Sequence, residues 1–149
     1  MDDHDMKIRS ARSDEINEIR QLLAGCALPA EDISESASIT FLVAAKDGRP
    51  ISGCVGLEAR GAVGLLRSLA VTADTREIGI GRALVAAAEV TARLRQIEEL
   101  YLLTTTASQF FIRRGYGVVE RSSAPEELQK STQFTSLCPA SAICMRKSI

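Results

Sequence analysis

A chain of 149 residues and 16.0 kDa, 46% hydrophobic and 25% charged, has the make-up of one folded domain with its own core, which excludes a disordered segment. A formal net charge of −1 and a pI near 5.9 leave no electrostatic footprint for nucleic acid or an anionic membrane. The acidic start MDDHDMKIRS has no apolar signal core and no apolar run reaches membrane-span length, so the chain is expected in the cytoplasm.

Met6 to Arg9 predicts a short strand. Ser13 offers an N-cap hydroxyl, Asp14 and Glu15 suit a first helical turn, and Ile16, Ile19, Leu22 and Leu23 form a helical stripe. After Leu28-Pro29, a short acidic helix is expected around Glu31 to Ser36. Ile39 to Ala45 predicts a strand, Asp47-Gly48 a hairpin turn, and Pro50 to Leu57 the returning strand. Gly61 marks a second turn before a strand from Gly64 to Val71. An alanine-rich helix follows over about Gly81 to Arg95, then a buried strand at Tyr101-Leu102-Leu103. Ala107 to Arg113 predicts a short helix closed by Gly115, and Tyr116 to Glu120 another strand. Ser123-Ala124-Pro125 opens a small helix, and Ala142 to Met145 makes a final strand. The pattern is α/β or α+β in one domain spanning 1–149, with antiparallel hairpins first and a β-α-β-α-β half afterwards.

The cysteines, Cys26, Cys54, Cys138 and Cys144, form no C-x-x-C, and the lone histidine is His4, so no metal site is expected. They are predicted to be reduced thiols, Cys54 within a strand and the others in or beside loops.

The stretch TREIGIGRALV places Gly79 and Gly81 directly before a helix. Glycines there let an anion approach bare N–H groups at a positive helix end. A Walker loop would need Lys-Ser/Thr where Arg82-Ala83 stands. A dinucleotide fingerprint would need glycine at position 84, which is Leu. A nest running from Arg76 through Glu77, Ile78, Gly79, Ile80 and Gly81 to Arg82 suits a pyrophosphate.

That turn resembles the acetyl-CoA pyrophosphate loop of the GNAT acetyltransferase superfamily, and Leu65 to Gly117 is similar to that family's core. Leu69-Ala70-Val71 resembles its bulged strand, which bonds the pantetheine arm. Phe110-Phe111-x-x-x-Gly115-Tyr116 resembles the segment beside the thioester. The stretch LYLLTTTASQFFIRRGYGVVE is similar to the acetyltransferase domains of N-acetylglutamate synthases. Gly56 to Glu58, Leu65 to Val71, Leu100 to Ala107 and Leu137 to Met145 resemble single-domain GNAT proteins associated with bacterial arsenic-resistance operons.

The resemblance implies a GNAT fold: a mixed, mostly antiparallel sheet with a splayed fourth and fifth strand pair, flanked by helices. It implies a cytoplasmic N-acetyltransferase that takes acetyl-CoA as co-substrate and a small amino-acid-like amine as acceptor. No nucleic acid or membrane partner is expected, and homodimerisation stays open.

The chemistry needs a neutral amine, an oxyanion donor and a proton route. Glu58 is the candidate base, or else a solvated carboxylate at a strand end. The backbone N–H of Val71 is the candidate oxyanion donor. Arg67, with Ser68 beside it, would bind an acceptor carboxylate, or else snorkel from a strand edge. Thr104, Thr105 and Thr106 crowd a strand end where ligands approach a sheet, with at least one capping the next helix. Many GNAT enzymes carry a tyrosine where this chain has Phe111, so the usual acid for the departing thiolate is missing. Three rivals follow: a catalytically weak acyl-CoA sensor, favoured by Phe111; a metalloid-binding accessory protein using Cys138 and Cys144; and an acetyltransferase for protein amines.

Overall fold

The computed structural model describes residues 6–28, 39–73, 79–131, 134 and 141–149. The predicted helix at 31–36, His4, Cys138 and the turn residues Arg76, Glu77 and Ile78 lie outside them.

The described residues build strands β1 (Met6–Ser10), β2 (Ile39–Lys46), β3 (Gly53–Arg60), β4 (Val63–Val71), β5 (Glu99–Thr104), β6 (Gly117–Val119) and β7 (Ile143–Ser148). Helices α1 (Ile16–Gly25), α2 (Ile80–Leu94), α3 (Ser108–Arg113) and α4 (Glu126–Gln129) flank them. One seven-stranded sheet runs in the order β1-β2-β3-β4-β5-β7-β6, and β4–β5 is its only parallel pair among the described residues. This is the expected mixed sheet.

Alternation along the strands gives the sheet two apolar faces. Leu42, Ala44, Val55, Leu57, Leu66, Leu100, Leu102 and Met145 pack against α2, whose Leu84, Val85, Ala88 and Ala92 repeat at helical spacing. On the opposite face, Phe41, Val43, Cys54 and Ala70 pack against Ile19 and Leu23 of α1. Further along it, Leu65, Tyr101 and Cys144 pack against Leu128 of α4.

Three local expectations are corrected. Ser13 gives no cap; the Glu15 carboxylate accepts the Arg12 N–H at 2.8 Å and two bonds from Arg9 at 2.8 Å, which hold its carboxyl down to about 2. β3 starts at Gly53 and not at Pro50, because Ser52 still bonds Ala44 within the hairpin connection. Cys144 lies buried inside β7, not beside a loop, since its alternation with Met145 places it on the α4 face.

Candidate active site

The cleft begins where β4 and β5 part. They pair only at Val63↔Glu99, Gly64↔Leu100 and Leu65↔Tyr101. Beyond that point β4 keeps its bonds to β3 and β5 keeps its bonds to β7, so the strands diverge without opening the sheet elsewhere. Arg67 to Val71 form one wall, and Leu102 to Thr104 the other.

A bulge re-aims the first wall. Between Cys54↔Ala70 and Gly56↔Arg67, Val55 faces both Ser68 and Leu69, and Ser68 takes a left-handed φ of 58°. Buried Cys54 sits behind the bulge, its thiol donating to the Ser68 carbonyl at 3.3 Å. Burial pushes that thiol up to about 12, so it remains protonated at neutral pH. Past the bulge, Thr72 donates to the Ser52 carbonyl at 2.8 Å. Strand N–H groups alternate in direction, so the Val71 N–H faces away from β3, toward the β5 side.

The α2 face of this wall meets the glycine turn. Gly79 takes φ +83° as the residue before α2, a conformation a side chain would strain. A β-carbon on Gly81 would lie 3.5 Å from the Phe110 ring and 3.8 Å from the Val71 side chain. Thus the end of β4, the first turn of α2 and the face of α3 converge on one point. The Arg114 guanidinium stacks 4.7 Å above Phe110, and the Arg82 guanidinium lies 3.4 Å from the β-carbon position of Gly79. A cation at a helix start, with a second stacked over the Phe110 ring next to it, suits a diphosphate, and the bare Gly81 backbone suits its close approach. The residues present fit coenzyme A.

The opposite face carries charge. Glu58 is buried, and it stands two residues before the end of β3, so the solvated strand-end alternative does not hold. Its Oε1 accepts from Arg67 at 3.2 Å, and its Oε2 takes the Arg60 Nε at 3.0 Å together with a shorter bond from the same guanidinium. The Arg67 side chain is wholly covered and also donates to the Ser68 hydroxyl at 3.1 Å, so it does not snorkel from an edge. Gly56 makes this possible. A β-carbon there would stand 3.2 Å from Arg67 Cγ and 3.1 Å from the Phe41 ring. The motif Gly56-x-Glu58-x-Arg60 carried the signal, since i and i+2 share a strand face, but Arg60 escaped the sequence reading.

Thr104 accepts the Ala107 N–H at 3.0 Å, holding the turn into α3, while Thr105 is exposed at the end of β5. Phe111 is buried, edge-on to Phe110 at 5.1 Å and to Tyr116 at 5.6 Å. The Tyr116 hydroxyl is committed to Glu89 at 2.9 Å, so it does not replace the missing acid. Burial and the Glu89 carboxylate both push the Tyr116 phenol up. Among the described residues, no group of three or more His, Cys, Asp or Glu gathers to hold a metal, and no helix is long and apolar enough to cross a membrane.

The model of an acetyltransferase (GNAT) domain matches residues 37–118, more than half of the chain. An uncharacterized N-acetyltransferase of Chlorobaculum tepidum is 30% identical over 94% of this chain and 92% of its own length. An amino-acid acetyltransferase of Ralstonia nicotianae is 30% identical over 83% of this chain, which spans only 29% of that relative. The fold also matches an N-acetylglutamate synthase of Neisseria gonorrhoeae complexed with coenzyme A and L-arginine. That match has a TM-score of 0.76 at 25% identity, covering 97% of this chain and 33% of the other. The chain belongs to the GNAT acetyltransferase family and is an acetyl-CoA-dependent N-acetyltransferase.

Proposed function

We propose that the acceptor is a small amino-acid-like amine, and that it meets acetyl-CoA across the β4–β5 splay from the face opposite α2. The observation that carries this reading is the Glu58–Arg67 pair, placed at the root of the parted strands and built around Gly56. A carboxylate and a guanidinium side by side complement the ammonium and carboxylate of an amino acid. The amino-acid acetyltransferase relative supports the same class.

Acetyl-CoA lies along Leu69, Ala70 and Val71, with its diphosphate over the turn from Arg76 to Arg82, and its thioester near Phe110 and Phe111. Glu58 takes the acceptor's proton, directly or through water. The neutral nitrogen attacks the thioester carbon, and the Val71 N–H stabilises the oxyanion. The C–N bond forms, the C–S bond breaks, and the nitrogen gives its second proton to water as it becomes an amide. Coenzyme A leaves as a thiolate that takes a proton back from water, since Phe111 offers none. Arg67 and Ser68 hold the carboxylate end, and Thr104 and Thr105 line the far wall.

The motifs Gly56 to Glu58, Leu65 to Val71 and Leu100 to Ala107 support a place among cytoplasmic acetyltransferases tied to arsenic resistance. Loss of arsenite tolerance on deleting the gene is the outcome that this link requires.

The acceptor assignment is tested with paired amines, each amino acid beside its decarboxylated analogue, with acetylated product read by mass. Transfer should favour the carboxylated member, and Arg67→Lys should erase that preference by replacing a planar fork with a point charge. Equal use of both members by the unaltered enzyme overturns it.

A further inference from the structure

A second buried charged node lies on the α2 face, away from Glu58. Glu89 of α2 accepts the Tyr116 hydroxyl at 2.9 Å, and both its oxygens accept from Lys147 of β7 at 3.0 Å. Lys147 Nζ spends its third donor on the carbonyl of Arg114, at the end of α3, at 2.8 Å. Every donor of the ammonium is used. Gly115 is shaped for this contact: it takes φ +97°, and a β-carbon there would press within 3.2 Å of Lys147 Cε. One carboxylate therefore ties α2, the end of α3 and β7 together.

From Tyr116 the contact continues in a single direction. Its ring meets Phe111 edge-on, Phe111 meets Phe110 edge-on, and the Phe110 ring lies 3.5 Å from where a β-carbon on Gly81 would stand. The node thus ends at the turn assigned to the diphosphate. A six-residue helix is marginal on its own, so the tertiary contacts it makes set the position of its aromatic face.

We propose that Glu89, Lys147 and Tyr116 are positioning residues that fix α3 against α2 and so set the Phe110 wall of the coenzyme A groove. The inference rests on that groove being where the cofactor sits. In the resting protein the node holds Phe110 against Gly81. Without it, α3 loosens, and binding must restore the wall before the cofactor gains from it.

The test is a double-mutant cycle on coenzyme A affinity, with Tyr116→Phe crossed against Phe110→Ala. Tyr116→Phe keeps the ring and removes only the bond to Glu89, so the protein should remain folded. It should weaken coenzyme A binding about fivefold, the factor expected for one lost hydrogen bond. In the Phe110→Ala background the same change should cost less than about twofold, because the wall it positions is gone. Lys147→Met, crossed in the same way, should behave alike, while the effects on unfolding should simply add. If Phe110→Ala and Gly81→Ala both leave affinity unchanged, the groove assignment falls, and the inference with it. If they weaken binding but Tyr116→Phe does not, or costs the same in both backgrounds, the groove stands and the positioning role is wrong.

Discussion

Glu58 and Glu89 are both buried carboxylates paired with cations, and they sit on opposite faces of one sheet. Glu89 is held by Lys147 of β7 and by Tyr116 just before β6, on the α2 side of the sheet, and its main cation has no donor left over. Glu58 is held by its own strand and by β4, at the root of the splay and beside the bulge. Burial and pairing are common to both, so neither marks a reacting group. What separates them is whether the carboxylate stands where an acceptor and a thioester can meet. On the proposed reading of the site, Glu58 serves the chemistry and Glu89 the architecture.

The largest effect should come from exchanging the charge at each. Glu58→Gln should lower kcat about 100-fold, the scale on which a positioned base contributes. Glu89→Gln, assayed at saturating acetyl-CoA, should stay within about twofold of the parent, a change no greater than a structural amide exchange away from the reacting atoms brings. Steady-state rates for the two variants decide this, and the reversed pattern breaks the comparison.

A third carboxylate calibrates what pairing alone contributes. The bonds from Arg9, helped by the Arg12 N–H and guanidinium, lower the Glu15 carboxyl from the usual 4.5 to about 2. A lowered carboxyl stabilises the fold above its unfolded value and loses that contribution as pH falls through its folded one. The shift corresponds to roughly 3 kcal/mol, which solvent around the one-third exposed Arg9 screens to about 2 kcal/mol. Denaturation of Arg9→Gln should show most of that deficit at pH 7, since the Arg12 contacts remain, shrinking below pH 4.5 and largely gone near pH 2. A deficit constant across this range would mean that Arg9 acts by packing.

The smallest effect is expected at Phe111→Tyr. The ring lies in the core between Phe110 and Tyr116, so a new hydroxyl must find a partner at some cost in stability. Transfer should stay within about twofold at neutral pH, with at most a modest gain at lower pH, where thiolate departure is least favoured; the factor is what one unassisted hydrogen bond leaves at stake. Pre-steady-state rates across pH check it. A collapse of transfer with cofactor binding intact would give Phe111 a positive role.

Much of this architecture was legible from local chemistry. Asp47-Gly48 and Gly61 fix the hairpins through their turns, and the period of Leu84, Val85 and Ala88 fixes the buried face of α2. Gly79 and Gly81 announced bare backbone at the start of α2, and Gly115 its left-handed cap. Pairing between distant segments was not legible. Insertion of β7 between β5 and β6 depends on contacts that no neighbouring residue encodes, and with it went the burial of Cys144. The burial of Glu58 depends on Arg67, nine residues away, reached only through the strand register and the bare face of Gly56. Lys147 and Glu89 are further apart still, so their pairing gave no sequence signal.

The central claim is that cofactor and acceptor approach the splay from opposite faces. It is tested most directly by calorimetry of coenzyme A with Gly81→Ala and Glu58→Gln. The structure has room for the alanine, and a helix position gains from it, so Gly81→Ala should fold at least as well as the parent. The account predicts that Gly81→Ala weakens coenzyme A about tenfold, as expected when a charged hydrogen bond is lost, while Glu58→Gln binds it as the parent does. Unchanged affinity in Gly81→Ala, or a loss in Glu58→Gln as large as the one predicted for the turn, would contradict it.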